Sequence, residues 1–115
     1  MIKLSLSGEA KKHVQKWGGT YFLNEKTTNG KPFWVHKSGF SVIYWNNNNF
    51  WSIEYEKNLG KNRGYITGPA NDERVPIEIS EGWKYAKDGV FINATRNVVH
   101  FEEWAYNPGK FNSYS

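Results

Sequence analysis

The chain of 115 residues has no cysteine, which excludes disulfides and thiolate metal sites outright. Histidine is scarce. His13, His36 and His100 show neither HxH nor HExxH spacing, so no zinc site is expected. The P-loop, the dinucleotide fingerprint and the nucleophile elbow are missing, and no cofactor is expected. No period of about 20 to 50 residues recurs, which argues against a solenoid or propeller array. No apolar run is long enough to span a bilayer. Met1 to Ser7 alternates apolar with polar residues and lacks the apolar stretch of a signal peptide. The expectation is a cytosolic protein, or one whose signal segment has been removed. The triplet Asn93-Ala94-Thr95 is a glycosylation sequon, with meaning only in a secreted chain.

Charge is similarly unremarked. Fifteen Lys and Arg stand against eleven Asp and Glu, a net charge of +4. The basic residues are dispersed, with a single cluster at Lys11-Lys12. A concentrated patch is what steers nucleic acid to a surface, so a nucleic-acid partner is the least favoured. The segment Lys61-Asn62-Arg63-Gly64-Tyr65-Ile66 is similar to the basic-Gly-aromatic strand of RNA-binding sheets, on which exposed aromatics stack bases. It lacks that strand's second glycine and aromatic.

What the chain has in abundance is aromatic residues: six Trp, seven Tyr and seven Phe. They sit in short runs that alternate with polar residues and are cut by Asn-Gly, Ser-Gly and Asp-Gly pairs. Aromatic and β-branched residues suit a pleated, half-buried surface, and such pairs make tight hairpin turns. The pattern predicts an all-β domain: a small antiparallel sandwich or partly open barrel built from hairpins, with about eight short strands. Glu9 to Lys16 is the one stretch of good helix formers, enough for a short N-terminal helix. Residues 1–101 form the predicted β domain. Residues 102–115, with Trp104, Tyr106, Phe111 and Tyr114, form an extended arm that packs back or engages a neighbour.

Along the chain, Ile2, Leu4 and Leu6 mark a first strand, and Thr20 to Asn24 a second. Asn29-Gly30 turns the chain back. Phe33 to Lys37 and Phe40 to Trp45 make a hairpin across Ser38-Gly39. Asn46 to Asn49 read as a four-residue hairpin loop, since asparagine tolerates left-handed conformations. In the next strand Trp51, Ile53 and Tyr55 face the core, while Ser52, Glu54 and Glu56 face solvent. Gly64 to Thr67, Trp83 to Ala86, Val90 to Asn93 and Val98 to Phe101 are further strands, the middle pair joined across Asp88-Gly89.

Several motifs lie in one order: Gly19-Thr20-Tyr21-Phe22-Leu23, Asn29-Gly30-Lys31-Pro32-Phe33-Trp34, Val42-Ile43-Tyr44-Trp45 and Trp51-Ser52-Ile53, followed by Gly64, Pro76 and Trp83-Lys84-Tyr85. In this order the chain resembles, over residues 4 to 95, a family of small aromatic-rich β modules in proteins of algae, protists and aquatic invertebrates. The resemblance implies a compact module for binding or architecture and supplies no catalytic residues.

Function is read from surplus. A β domain of this size absorbs roughly 12–14 large apolar side chains, and the chain carries more. Some aromatics are therefore expected in an exposed patch, which signals a partner. The strand Phe40 to Trp45 is apolar on both faces. Trp34, His36, Tyr44, Trp45, Asn47 and Asn48, together with Trp104 and Tyr106 of the arm, are the candidate binding residues. The expected partner is another protein or a second copy of the chain, since Trp and Tyr dominate interface hot spots. The alternative is a glycan, stacked on the same aromatics with Asn46 to Asn49 as a polar rim. Glu54 and Glu56 share one strand face, but Ser52 beside them gives no apolar wall to raise a pKa. No enzymatic activity is expected.

Overall fold

A computed structural model describes residues 1–94 and 98–103. The chain forms β1 (Ile2–Leu6), α1 (Gly8–Val14), β2 (Gly19–Thr28), β3 (Lys31–His36), β4 (Ser41–Trp45), β5 (Trp51–Tyr55), β6 (Ile66–Thr67), β7 (Lys84–Lys87), β8 (Val90–Asn93) and β9 (Val99–Glu103). Short 3-10 turns lie at Gln15–Trp17, Glu56–Asn58 and Pro76–Glu78. The nine strands make one antiparallel sheet in the order β8-β7-β6-β5-β4-β3-β2-β1-β9. It curls into a half-barrel with one short helix, the all-β, partly open barrel that the aromatic alternation predicts.

The curl follows from one row of paired residues. Trp34, Ile43, Ile53, Ile66 and Tyr85 face each other across five successive strands. All five are buried in the main core with Trp17, Tyr21, Trp45, Trp51, Trp83 and Phe101. Paired residues point to the same side of a sheet, so this row defines the concave face. Ala10 and Val14 of α1 join the same core, and the Lys87–Glu9 ion pair fastens the helix to β7.

Turn chemistry explains the hairpins. Asn29 and Gly30 have φ of 51° and 80°, and Asp88 and Gly89 have 50° and 80°. Two successive positive values are the signature of the turn whose twist matches paired strands. The asparagine loop also behaves as read, with Asn49 at φ 67°.

Four expectations need correction. The connection between β3 and β4 spans Lys37 to Phe40, because β4 starts at Ser41. Its closing bond runs from Gly39 N–H to His36 O at 2.7 Å, so the link is longer than a Ser-Gly pair. Phe40 is not a strand residue and is 74% exposed. β9 runs through Glu103, two residues beyond the expected strand end at Phe101; of the expected arm, residues 104–115, with Trp104 and Tyr106, lie outside the described residues.

The fourth correction concerns the convex face. Ser52 and Glu54 alternate correctly with Trp51 and Ile53, yet both are buried. The segment 56–65 folds back over this face and covers them. Leu59 packs there against Phe33, Val42 and Tyr44, a second small core. The Tyr44 hydroxyl donates to Lys61 O or Arg63 O, each at 2.9 Å. The Glu54 carboxylate accepts from Asn58 Nδ2 and from the Tyr55 N–H, both at 3.0 Å. Removing a buried acceptor strands its donors, so Glu54→Ala should cost about 1–3 kcal/mol in a urea titration. Glu56, exposed, should tolerate Gln within about 0.5 kcal/mol. Equal, negligible losses for both would show that segment 56–65 does not cover the convex face.

Among the described residues no helix is long and apolar enough to cross a membrane, and no cluster of three or more His, Asp or Glu could hold a metal ion.

Candidate binding groove

Among the described residues, the sequence-derived candidates do not come together as one surface patch. Trp34 and Trp45 are 8% and 6% exposed and Tyr44 is fully buried. Trp34 and Trp45 sit on the concave face, where each meets the ring of Trp51 at 5.7 and 5.4 Å between centroids. Tyr44 lies beneath segment 56–65. A strand apolar on both faces is here a strand covered on both faces. His36 is half-buried, and its bonds are internal. Nε2 faces Gly18 O at 2.9 Å, and Nδ1 faces the Ser38 N–H at 3.0 Å. A carbonyl only accepts and an N–H only donates, so the ring proton resides on Nε2. Asn47 and Asn48 are exposed in the loop before Phe50. Asn46 is the structural member of that run: its Nδ2 reaches Ser52 Oγ at 3.2 Å and Lys61 O at 3.1 Å.

Exposed apolar side chains lie elsewhere, at Phe22 and Leu23 on β2, at Phe40 and Val75 in connections, and on β8. Val90 and Phe91 on β8 are 58% and 51% exposed. They border a groove of about 620 Å³ on the convex face, lined also by Phe50, Pro69, Ala70, Ala86, Arg63 and Lys84, with Glu54 in its floor. The β7–β8 hairpin forms one wall and segment 62–65 the other. Gly64 makes the second wall possible. A Cβ there would lie 2.9 Å from Thr67 Cγ2 and 3.2 Å from Ser52 Cβ, so only a glycine lets the segment lie this close to β5 and β6. Ala86 and Phe91 are cross-strand partners, which places the Phe91 ring on the groove side of the sheet.

The groove is electrostatically uneven. The ion pairs among the described residues join Glu9 with His13 and Lys87, Lys31 with Glu73, and Arg74 with Asp72. Arg63 and Lys84 take part in none of them. Glu54 is 1% exposed and already bonded to Asn58 and Tyr55. The groove thus offers an apolar trough, two exposed cations and a single recessed carboxylate. Nearby, burial pushes the Tyr44 hydroxyl pKa well above its ordinary value, with the Glu54 charge adding to the shift. That phenol remains a hydrogen-bond donor to the carbonyls above it.

Sequence reasoning missed Phe50, Arg63, Lys84, Val90 and Phe91. Two adjacent apolar residues after the Asp88-Gly89 turn were the available sign, since a strand with both faces apolar at a sheet edge cannot bury both. Compared with protein-family models, curated proteins and solved structures, the chain matches none.

Proposed function

We propose that the protein is a non-catalytic binding module whose convex groove holds an extended segment of a partner protein, apolar in part and bearing an acidic group. The observation that carries this reading is the groove itself: exposed Phe91 and Val90 beside the unpaired cations Arg63 and Lys84. Apolar troughs with a few placed polar groups are the usual form of a ligand site. β8 is an outer strand of the sheet, four residues long, and an extended peptide gains main-chain hydrogen bonds by adding beside such an edge. An acidic group favours approach to Arg63 and Lys84 and fixes register. The arm is a poor match to these cations, because residues 104–115 contain Lys110 and no acid. The resemblance over residues 4 to 95 also points to a binding or architectural module. Its motif residues are mostly core, with Gly64 and Lys84 at the groove.

A peptide array tests the reading. Wild-type protein should retain peptides that combine an acid with aromatic or aliphatic residues. Phe91→Ser and Arg63→Glu should each weaken retention about tenfold, ~1.4 kcal/mol, with melting temperature unchanged. Retention should fall with added salt, because the cations are exposed. Array binding that ignores acidic residues, or that both variants preserve, would sink the proposal. Salt-insensitive retention on an oligosaccharide array instead would favour the glycan alternative.

A further inference from the structure

Around the 3-10 turn Gln15–Trp17 that follows α1, three aromatic rings meet around one ammonium group. Trp17 and Tyr65 stack with centroids 4.9 Å apart and planes 21° apart. Tyr55 stands across both, 4.7 Å from Trp17 at 63° and 5.8 Å from Tyr65 at 81°. The Lys16 Nζ lies 5.0 Å from the Tyr55 centroid, 5.2 Å from Trp17 and 5.9 Å from Tyr65. All three distances fall within about 6 Å, the range in which a ring face attracts a cation. Lys16 also donates to the Tyr55 hydroxyl at 2.5 Å. A second ammonium, Lys57 Nζ, lies 5.7 Å from the same Tyr55 ring.

We propose that the corner formed by Trp17, Tyr55 and Tyr65 is a binding site for a methylated organic ammonium ion, and that Lys16 is its built-in competitor. The corner already holds a cation of this chain, so its size and field suit an ammonium. Lys16 is exposed, whereas Trp17 beneath it is buried. The lysine can swing into water, where its strongly hydrated head is well accommodated. A quaternary ammonium has no N–H to hydrate and gains more from aromatic faces, the basis of choline and methyl-lysine recognition. The Lys16 ammonium is held above its ordinary pKa chiefly by its hydrogen bond to the Tyr55 hydroxyl, with Tyr55, Tyr65 and Glu54 adding to the shift. Tyr65 also lines the groove, but the corner takes a cation where the groove takes an acidic, partly apolar segment, so the titration below reads the corner independently of the peptide reading.

Lys16 lowers the apparent affinity by the fraction of time it occupies the corner. If the corner is open about a tenth of the time, removing Lys16 tightens binding about tenfold. The test is a titration with tetramethylammonium chloride, ionic strength held constant with sodium chloride, followed by aromatic proton shifts. Wild type should saturate, with shifts confined to the three rings. Lys16→Ala should saturate at about one tenth of the concentration. Tyr55→Phe keeps the ring and removes the Lys16 hydrogen bond, so it should also tighten binding. Tyr65→Leu in the Lys16→Ala background should abolish saturation. Ammonium chloride should shift the rings less than the methylated ion at equal concentration. An unchanged midpoint in both Lys16→Ala and Tyr55→Phe overturns the competitor role. Absence of saturation in Lys16→Ala, or equal response to ammonium, overturns the site. These readouts do not need the Tyr65 variant to fold.

Discussion

Trp51→Ala should unfold the protein at markedly lower urea, a loss of about 3–5 kcal/mol. Trp51 is 1% exposed and stands where three things meet. Its ring contacts Trp34 and Trp45. Its Nε1 donates to Arg74 O at 2.6 Å, which ties the long β6–β7 connection to the sheet. Its Cβ lies 3.5 Å from where a Gly68 side chain would begin, so the β5–β6 crossing is built around it. The walls of the resulting void are strands locked by ladder bonds, which collapse poorly, and cavity cost rises when a site cannot collapse. Trp51→Phe keeps one aromatic ring and loses the rest of the indole with its hydrogen bond, so a smaller loss of about 1–3 kcal/mol is expected. A loss below about 1 kcal/mol for the alanine variant would show that β5 does not present this residue to the core.

Gly19→Ala should be almost as damaging, at about 2–5 kcal/mol, although it adds a single methyl group. Two causes combine. Gly19 has φ +125°, a region open essentially to glycine, and its Cβ would lie 2.6 Å from His36 Nε2. The imidazole cannot retreat. It is bonded to Gly18 O and the Ser38 N–H, and it packs edge-on against Tyr21 at 5.0 Å. His36→Ala in the same chain separates the causes, because it relieves the clash and leaves the backbone strain. Partial rescue is the expected result of a double-mutant cycle. A Gly19→Ala protein as stable as wild type would mean that the chain enters β2 by another route. In this light His36, a candidate binding residue from sequence, is a structural fixture of the β1–β2 approach.

The fold was legible where local chemistry decides it. Asn29-Gly30 and Asp88-Gly89 place two adjacent residues at positive φ, and no long-range information is needed to expect a hairpin there. Trp51 and Ile53 read as core because alternation tells which residues share a face. Alternation does not tell whether another segment lies over the opposite face. Ser52 and Glu54 show the difference: correct face, wrong environment, because segment 56–65 returns across them. Tyr44 fails as a surface candidate for the same reason, whereas Trp34 and Trp45 fail because the concave face of the sheet closes on them as main core. The groove was illegible because Arg63, Lys84 and Phe91 belong to separate segments that become neighbours through the two-residue strand β6, which pairs β5 with β7. Nothing in the composition of Gly64 to Thr67 announces that role.

The placement of β1 between β2 and β9 has a kinetic consequence. Strands β2 to β8 pair with their sequence neighbours, and the β2–β3, β3–β4, β4–β5 and β7–β8 hairpins close over short loops and form early. β9 pairs along the whole of β1, from Leu6↔Val99 to Ile2↔Glu103, and this contact joins opposite ends of the described chain. Its closure entropy must be met before the pairing is rewarded. During synthesis the first strand emerges long before its second neighbour exists, and one of its edges waits unpaired while the meander assembles. The alternation of Lys3 and Ser5 with Ile2 and Leu4, and a length of only five residues, suit such a wait, since short edges interrupted by charge resist pairing with other chains.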